Sequence, residues 1–460
     1  MKKNINILFI SFITMISALG GLLFGYDWVV IGGAKPFYEL YFGISASPAT
    51  QGWAISSALS GCLVGALIAG TVSDKLGRKL PLIISAVLFT LSAIGTGMAN
   101  VFSSFIIFRI IGGLGIGMAS VLSPIYIAEI SPASMRGRFV SINQLTIVIG
   151  ILLAQIINYC IADKIPENFT NDQVLASWNG QTGWRWMFWA ETFFSVSFFI
   201  LAFLIPESPR WLIKAGHQER AIKTLKRIGG DSFASARLNE IRETVGNDKA
   251  KVDFKLLFKR KILRIILIGA VMAMIQQLCG IGVIFNYAQE VFSAAGYGLN
   301  EMLFNIVITG SVNLIFTLVA LKIVDRWGRR FLMLFGYGGI AIVFFVLGLL
   351  FLNHFSGLIM LICLLLALAI YAMTLAPGTW VILSEIFPNR VRGIAMSIAT
   401  FGLWTASFTL TYTFPLLNNA FGASGTFWVY AAVCLLGFIF IIKLLPETKG
   451  KTLEEIEKII

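Results

Sequence analysis

Twelve long apolar runs punctuate this chain, each long enough to cross a bilayer as a helix, which takes ~20 mostly apolar residues. Their approximate limits are 7–34, 50–72, 80–99, 102–127, 139–162, 184–205, 263–292, 303–324, 331–352, 357–385, 394–415 and 425–445. The expected fold class is therefore all-α: a polytopic membrane protein of twelve transmembrane helices. Composition agrees, with 57% hydrophobic and only 13% charged residues, against roughly 45–50% and about 25% in soluble domains. Mean hydropathy is +0.83. So little polar surface excludes a soluble enzyme and a disordered scaffold. Met1-Lys2-Lys3 ahead of an apolar run has the look of a secretory leader, but no small-x-small cleavage site follows a short apolar core. The run continues past Asp27, so it is expected to remain as an uncleaved first span.

Basic residues set the expected orientation. The net charge of +13 would suit nucleic acid, but 32 of the 36 Lys and Arg fall on the side shared by the termini. Lys35 and Lys164 are placed on the far side, Arg185 at a far-side helix end, and Arg109 within a span. Positive loops mark the cytoplasmic side, so both termini are expected in the cytoplasm of a multi-pass inner-membrane protein, and nucleic acid is not an expected partner. The five cysteines are scattered singly through apolar stretches and the only histidines are His217 and His354. No metal-ligand spacing and no nucleophile–base pair arises, so neither a cofactor, a metal nor an enzymatic activity is expected.

An internal repeat divides the chain. Asp74-Lys-Leu-Gly-Arg78-Lys79 returns as Asp325-Arg-Trp-Gly-Arg329-Arg330, and Glu129-Ile-Ser-Pro with Arg136-Gly137 returns as Glu385-Ile-Phe-Pro with Arg392-Gly393. Pro206-Glu-Ser-Pro-Arg210 returns more loosely as Pro446-Glu-Thr-Lys-Gly450. The expected domains are a six-helix half over 1–205, a cytoplasmic linker with short amphipathic helices over 206–262, and a second half with a short tail over 263–460. Within the linker, Glu219–Ile228 and Ala236–Val245 carry helical periodicity, and Lys259-Arg260-Lys261 reads as a positive anchor. Parallel halves meeting around a midplane site are a transporter plan. Asp74, Arg78, Glu129, Arg136, Asp325, Arg329, Glu385 and Arg392 are read as a cytoplasmic gate whose acids and bases pair across the halves.

As a set, these signatures resemble the sugar porter family of the major facilitator superfamily over essentially the whole chain. The stretches GGLLFGYD at 20–27, RIIGGLGIGMASVLSPIYIAE at 109–129, WRWMF at 184–188 and WVILSEIFPN at 380–389 are most similar to its bacterial D-xylose–proton symporter branch. The resemblance implies the major facilitator fold and secondary transport of a monosaccharide, D-xylose or a similar pentose or hexose, coupled to a proton. A lipid bilayer is the expected medium and a monomer the expected functional unit.

Three charges lie at membrane depth, where charge is costly and usually functional: Asp27, Arg109 and Glu191. At ~1.5 Å per residue all three sit on the order of 10 Å below the outer surface. An Arg stays protonated, so two acids and one base reach neutrality only with one bound proton shared between Asp27 and Glu191. The bland alternative is a permanent Asp27–Arg109 bridge. The resemblance adds that the Asp27 position is acidic in proton-coupled members and typically Asn in facilitators.

A polyol needs multidentate amides and hydroxyls plus a flat apolar platform. Gln144, adjacent Gln276 and Gln277, and Trp380 beside Pro377-Gly378 supply those groups, although an intramembrane Gln also serves to join helices. By resemblance these four align with sugar-contacting positions, and Phe24 with an aromatic lining the pocket. The chain departs from the family pattern at Gly282, where an Asn is usual, at Asn286, where a Tyr is usual, and at Leu403, where a Gln precedes Trp404. Asn286 lies one turn from Gly282 and is expected to replace part of the lost amide. The rival readings are a passive sugar facilitator, a drug–proton antiporter, a channel and a membrane sugar sensor. The Gln pair and the PESPR and PETKG ends speak against the antiporter, paired gates against the channel, and the short tail against the sensor.

Overall fold

The structure is a computed structural model that describes residues 5–132, 135–166, 169–247, 257–387, 391–445 and 447, without the side chains of 243–247, 324–326 and 392. Ten of the described helices are long and apolar enough to cross a membrane. The last of these, Gly393–Leu444, holds two spans, because Gly422 takes φ +67° and breaks it. A further span, Trp184–Ala202, carries Arg185 and Glu191 among its aromatic residues and falls outside those ten. The chain therefore has the twelve spans that its sequence predicts.

Spans 1 to 6 are Ile7–Tyr41, Pro48–Leu76, Lys79–Met98, Phe102–Ile130, Arg136–Ile161 and Trp184–Ala202. Span 7 begins as Arg260–Leu278 and is interrupted at Gly280, which takes φ +89°, before Ile281–Asn286 and Ala288–Ala294. Glycine adopts that left-handed conformation without a Cβ penalty. Spans 8 and 9 are Leu299–Trp327 and Arg329–Leu352, and span 10 is Leu358–Met373 followed, across a break at Thr374, by Leu375–Ile386. Span 1 corrects the sequence expectation at its far end. It runs through Pro36 to Tyr41, and Lys35, expected in a far-side loop, is 1% exposed. Proline weakens a helix by removing a donor and crowding the preceding turn, but tertiary packing holds this one: Gly32 lies against the Phe285 carbonyl and Gly33 against Asn158.

The chain forms two compact units that cut across the two halves of the sequence repeat. One comprises residues 1–27, 61–150 and 188–252, the other 28–60, 151–187 and 253–460. The far ends of spans 1, 2 and 5 thus belong with the second half. Contacts within that unit explain why. Gly52 meets the Tyr412 carbonyl, Gln155 donates to Thr309 at 3.4 Å, and Asn300 exchanges two hydrogen bonds with the backbone of Ile165 at 2.7 and 3.0 Å.

In the first unit the linker is a packed cover. Pro209–Lys214 and Gln218–Asn247 are helical, the latter bent at Gly229 and Gly230 between the two predicted segments. Leu225, Ile228 and Leu238 join a buried cluster with Ile10, Ile127 and Phe139.

The repeated motifs explain each other once folded. In the first unit Arg78 holds the Glu129 carboxylate through two nitrogens at 3.0 and 3.1 Å. Glu207, of the Pro-Glu-Ser-Pro motif, accepts from the backbone N–H of Arg78 at 2.8 Å and of Lys79 at 3.2 Å. Its charge sits where the positive end of span 3 and two orphan donors are. The second unit repeats the pattern, with Arg329 on Glu385 at 3.1 Å and Glu447 accepting from the N–H groups of Arg329 and Arg330 at 3.0 and 3.2 Å. The described ion pairs at these motifs therefore join spans within one half of the repeat, where the sequence reading expects pairs across the halves. The side chains of Asp325 and Arg392 lie outside the described residues. Replacing either capping acid, Glu207→Gln or Glu447→Gln, is expected to cost about 1.5–3 kcal/mol, the usual range for hydrogen bonds to a charged group. Thermal unfolding of the purified protein should show both losses in the same direction.

Candidate functional site

The three membrane-depth charges meet in the first unit. Asp27 is 1%, Arg109 1% and Glu191 1% exposed, contributed by spans 1, 4 and 6. One guanidinium nitrogen of Arg109 donates to the Asp27 carboxylate, and another reaches the Asp27 backbone carbonyl at 3.3 Å. The Phe188 ring lies 5.8 Å from the guanidinium carbon, a cation–π contact that further offsets its desolvation. Glu191 stands within electrostatic reach of both Asp27 and Arg109. Among the described residues neither of its carboxyl oxygens has a hydrogen-bond partner, and the second oxygen of Asp27 has none either. The centre is thus one base, one directly paired acid and one unsatisfied acid.

Span 4 makes room for this pairing through a glycine. Gly112 is one turn beyond Arg109, and a β-carbon there would lie 2.6 Å from the free Asp27 oxygen and also against Ser92. Nearby, span 1 packs on span 5 through Gly21 against Asn143 and through Thr146, which donates to the Ala18 carbonyl at 2.9 Å. Phe24 and Gln144, both in this unit, are half-buried on spans 1 and 5.

The second unit holds the remaining polyol candidates. Gln276 is 3% exposed in the last turns of the first segment of span 7. Its amide donates to the Tyr371 hydroxyl at 2.5 Å, and Gln277 donates to the Gln276 amide oxygen at 3.0 Å. The two glutamines and the tyrosine form a chain of polar groups just before the break at Gly280. Tyr371, two residues before the end of the first segment of span 10, escapes the sequence reading, although a phenol in so apolar a run is a readable signal. Trp380 lies in the second segment of span 10 and is 39% exposed, whereas Trp404 is 5% and Leu403 4% exposed. Asn286 is 2% exposed, and its side-chain oxygen has no partner among the described residues. At Gly282 the space beside the backbone is bounded by Leu410 and Trp28, 3.6 and 3.8 Å from where a β-carbon would stand. Those contacts leave the position open, and the groups that border it are apolar.

The ion pair gives a direct test of this geometry. Gly112→Ala is expected to displace the Asp27 carboxylate and to cost about 1–3 kcal/mol, as overpacking of a close-packed interior does. Adding Ser92→Gly, which opens the same space, should recover part of the lost unfolding midpoint.

The family model described as sugar (and other) transporter matches residues 13–460. The D-xylose-proton symporter of Escherichia coli (strain K12) is 37% identical over 99% of this chain and 97% of its own length. The arabinose-proton symporter of Bacillus subtilis (strain 168) is 39% identical over 98% of this chain and 95% of its own. A solved inward-open conformation of the E. coli xylose transporter superposes with a TM-score of 0.85, at 37% identity, over 98% of this chain and 99% of that one. The chain is a multi-pass membrane protein with the twelve-helix major facilitator fold, and it belongs to the sugar (and other) transporter family.

Proposed function

We propose that this protein is a secondary active transporter that carries a monosaccharide, D-xylose or a similar pentose or hexose, into the cell together with a proton by alternating access. The observation that carries the reading is the buried Asp27–Arg109 pair with Glu191 beside it and unsatisfied. An arginine stays charged, and two buried carboxylates facing it leave one negative charge uncompensated. A proton on one of them restores neutrality, and moving that proton changes which acid Arg109 is free to hold. Protonation of Asp27 releases Arg109 and lets the sugar-loaded carrier close toward the outside. Loss of the proton toward the cytoplasm restores the bridge. The names of the two symporting relatives support this choice.

In this reading Phe24, Gln144, Gln276, Gln277, Asn286, Trp380 and Trp404 contact the sugar, with Tyr371 orienting Gln276. The domains are the halves 1–205 and 263–460 joined by the linker 206–262, with both termini in the cytoplasm. The motif residues Asp74, Arg78, Glu129, Arg136, Asp325, Arg329, Glu385 and Arg392 form the cytoplasmic gate. The pairs within each half make rigid near-side corners, which part and meet as units. The protein works as a monomer without a resident cofactor and performs no chemical conversion. A second reading, a passive facilitator, is favoured by the direct Asp27–Arg109 contact, which also serves as a permanent tie between spans 1 and 4.

Two experiments separate these readings. Adding D-xylose, L-arabinose, D-glucose or D-galactose to a lightly buffered, de-energised suspension of expressing cells is expected to alkalinise the medium for the substrate sugar. Entry of labelled sugar without that change would make the protein a facilitator. Asp27→Asn is expected to abolish uphill accumulation while leaving downhill exchange. Continued accumulation of sugar by that variant overturns the role given to Asp27.

A further inference from the structure

Outside the proton and sugar positions, the fold buries a second set of charges. Lys35 on span 1 is 1% exposed. Its ammonium is hydrogen-bonded to Glu290 in the segment Ala288–Ala294. It also pairs with Glu39, one turn further along its own helix, at 2.8 Å. The Tyr287 ring lies 5.6 Å from the same nitrogen. Glu39 is 5% exposed, whereas the Glu290 side chain is 22% exposed. Glu290 also borders a polar pocket of about 400 Å³, shared with Ser45, Gln51, Asn418 and Asn419.

The two acids have different mechanical positions. Glu39 travels with Lys35 on one helix, whereas Glu290 belongs to the other half of the sequence repeat. We propose that Lys35 and Glu290 form a releasable latch that holds the far ends of spans 1 and 7 together. Removing one partner from a buried ion pair ordinarily strands an uncompensated charge, which would make such a latch too costly to open. Here neither charge is stranded. Lys35 keeps Glu39 as its counter-charge after release, and Glu290, 22% exposed, is left bordering a pocket lined with amides and a hydroxyl. The latch rests on the transporter reading only in that the far ends must part. It needs neither the identity of the sugar nor the proton.

The test is a distance measurement across the latch on the full-length protein in lipid nanodiscs. Spin labels are placed at Ala46 and Ser293, both exposed, after replacement of the native cysteines. Lys35→Gln and Glu290→Gln are each expected to raise the ratio of long to short distances by about tenfold. The double variant should add little beyond either single one, because both remove the same contact. Glu39→Gln is expected to act in the opposite sense and lower the ratio, since Lys35 then loses the partner that stabilises its released state. Unchanged distances in both single variants would overturn the proposal, as would the same shift from Glu39→Gln as from Lys35→Gln. If one variant fails to fold, the other still reads the latch. No sugar or pH gradient enters the readout, so absence of proton coupling leaves the result interpretable.

Discussion

Taking an ion out of water into a low-dielectric interior costs several kcal/mol even after the surroundings relax, and the polar architecture of this protein is arranged around that cost. Arg109 is answered by Asp27 and by the Phe188 ring. Lys35 is answered by two carboxylates, and Arg185 lies over the faces of Tyr41 and Trp184, at 4.8 and 4.5 Å. Against this background Glu191 stands out, because it is as deeply buried as the others and has no hydrogen bond of its own among the described residues. A structural tie between spans 1 and 4 needs only Asp27 and Arg109. The extra acid is not needed for that tie, and it is the feature on which the proposed proton coupling rests.

The repeat operates at the level of physical contacts as well as letters. Three motifs that lie far apart in each half converge on one spot: an arginine grips a glutamate from a distant span, and a second glutamate caps the helix that bears the arginine. Neither half borrows a partner for these described contacts. Among the described contacts each corner closes within its own half of the repeat.

Much of this is legible in the sequence, for identifiable reasons. Twelve spans follow from apolar run length, and the common depth of Asp27, Arg109 and Glu191 follows from helical rise, because distance along a membrane helix is depth; that the three meet is read from the fold. The repeat announces Arg78, Glu129, Arg329 and Glu385, but sequence pairing does not say whether an acid binds the base of its own half or of the other. Lys35 is misplaced because the apolar run of the first span is ended at residue 34, just before this charge and Pro36. The packing of Gly32 and Gly33 against Phe285 and Asn158 outweighs that local signal. Tyr371 and Glu290 lie inside or at the end of spans without a motif around them, so only the fold shows that they face Gln276 and Lys35. The proposed sugar site is the least legible part, since Gly282 and Leu403 remove the side chains that a pattern would compare.

The far ends of spans 1 and 2 touch the second half of the repeat through Gly32 on the Phe285 carbonyl and Gly52 on the Tyr412 carbonyl. Contacts made by glycine against backbone leave no side-chain gaps for a file of water molecules. They also separate without any side chain having to change rotamer. A seam of this kind is closed to water while the two backbones touch, and little friction opposes its parting. A side chain at either glycine would stand within 2.4 Å of the opposing carbonyl and hold the two backbones apart.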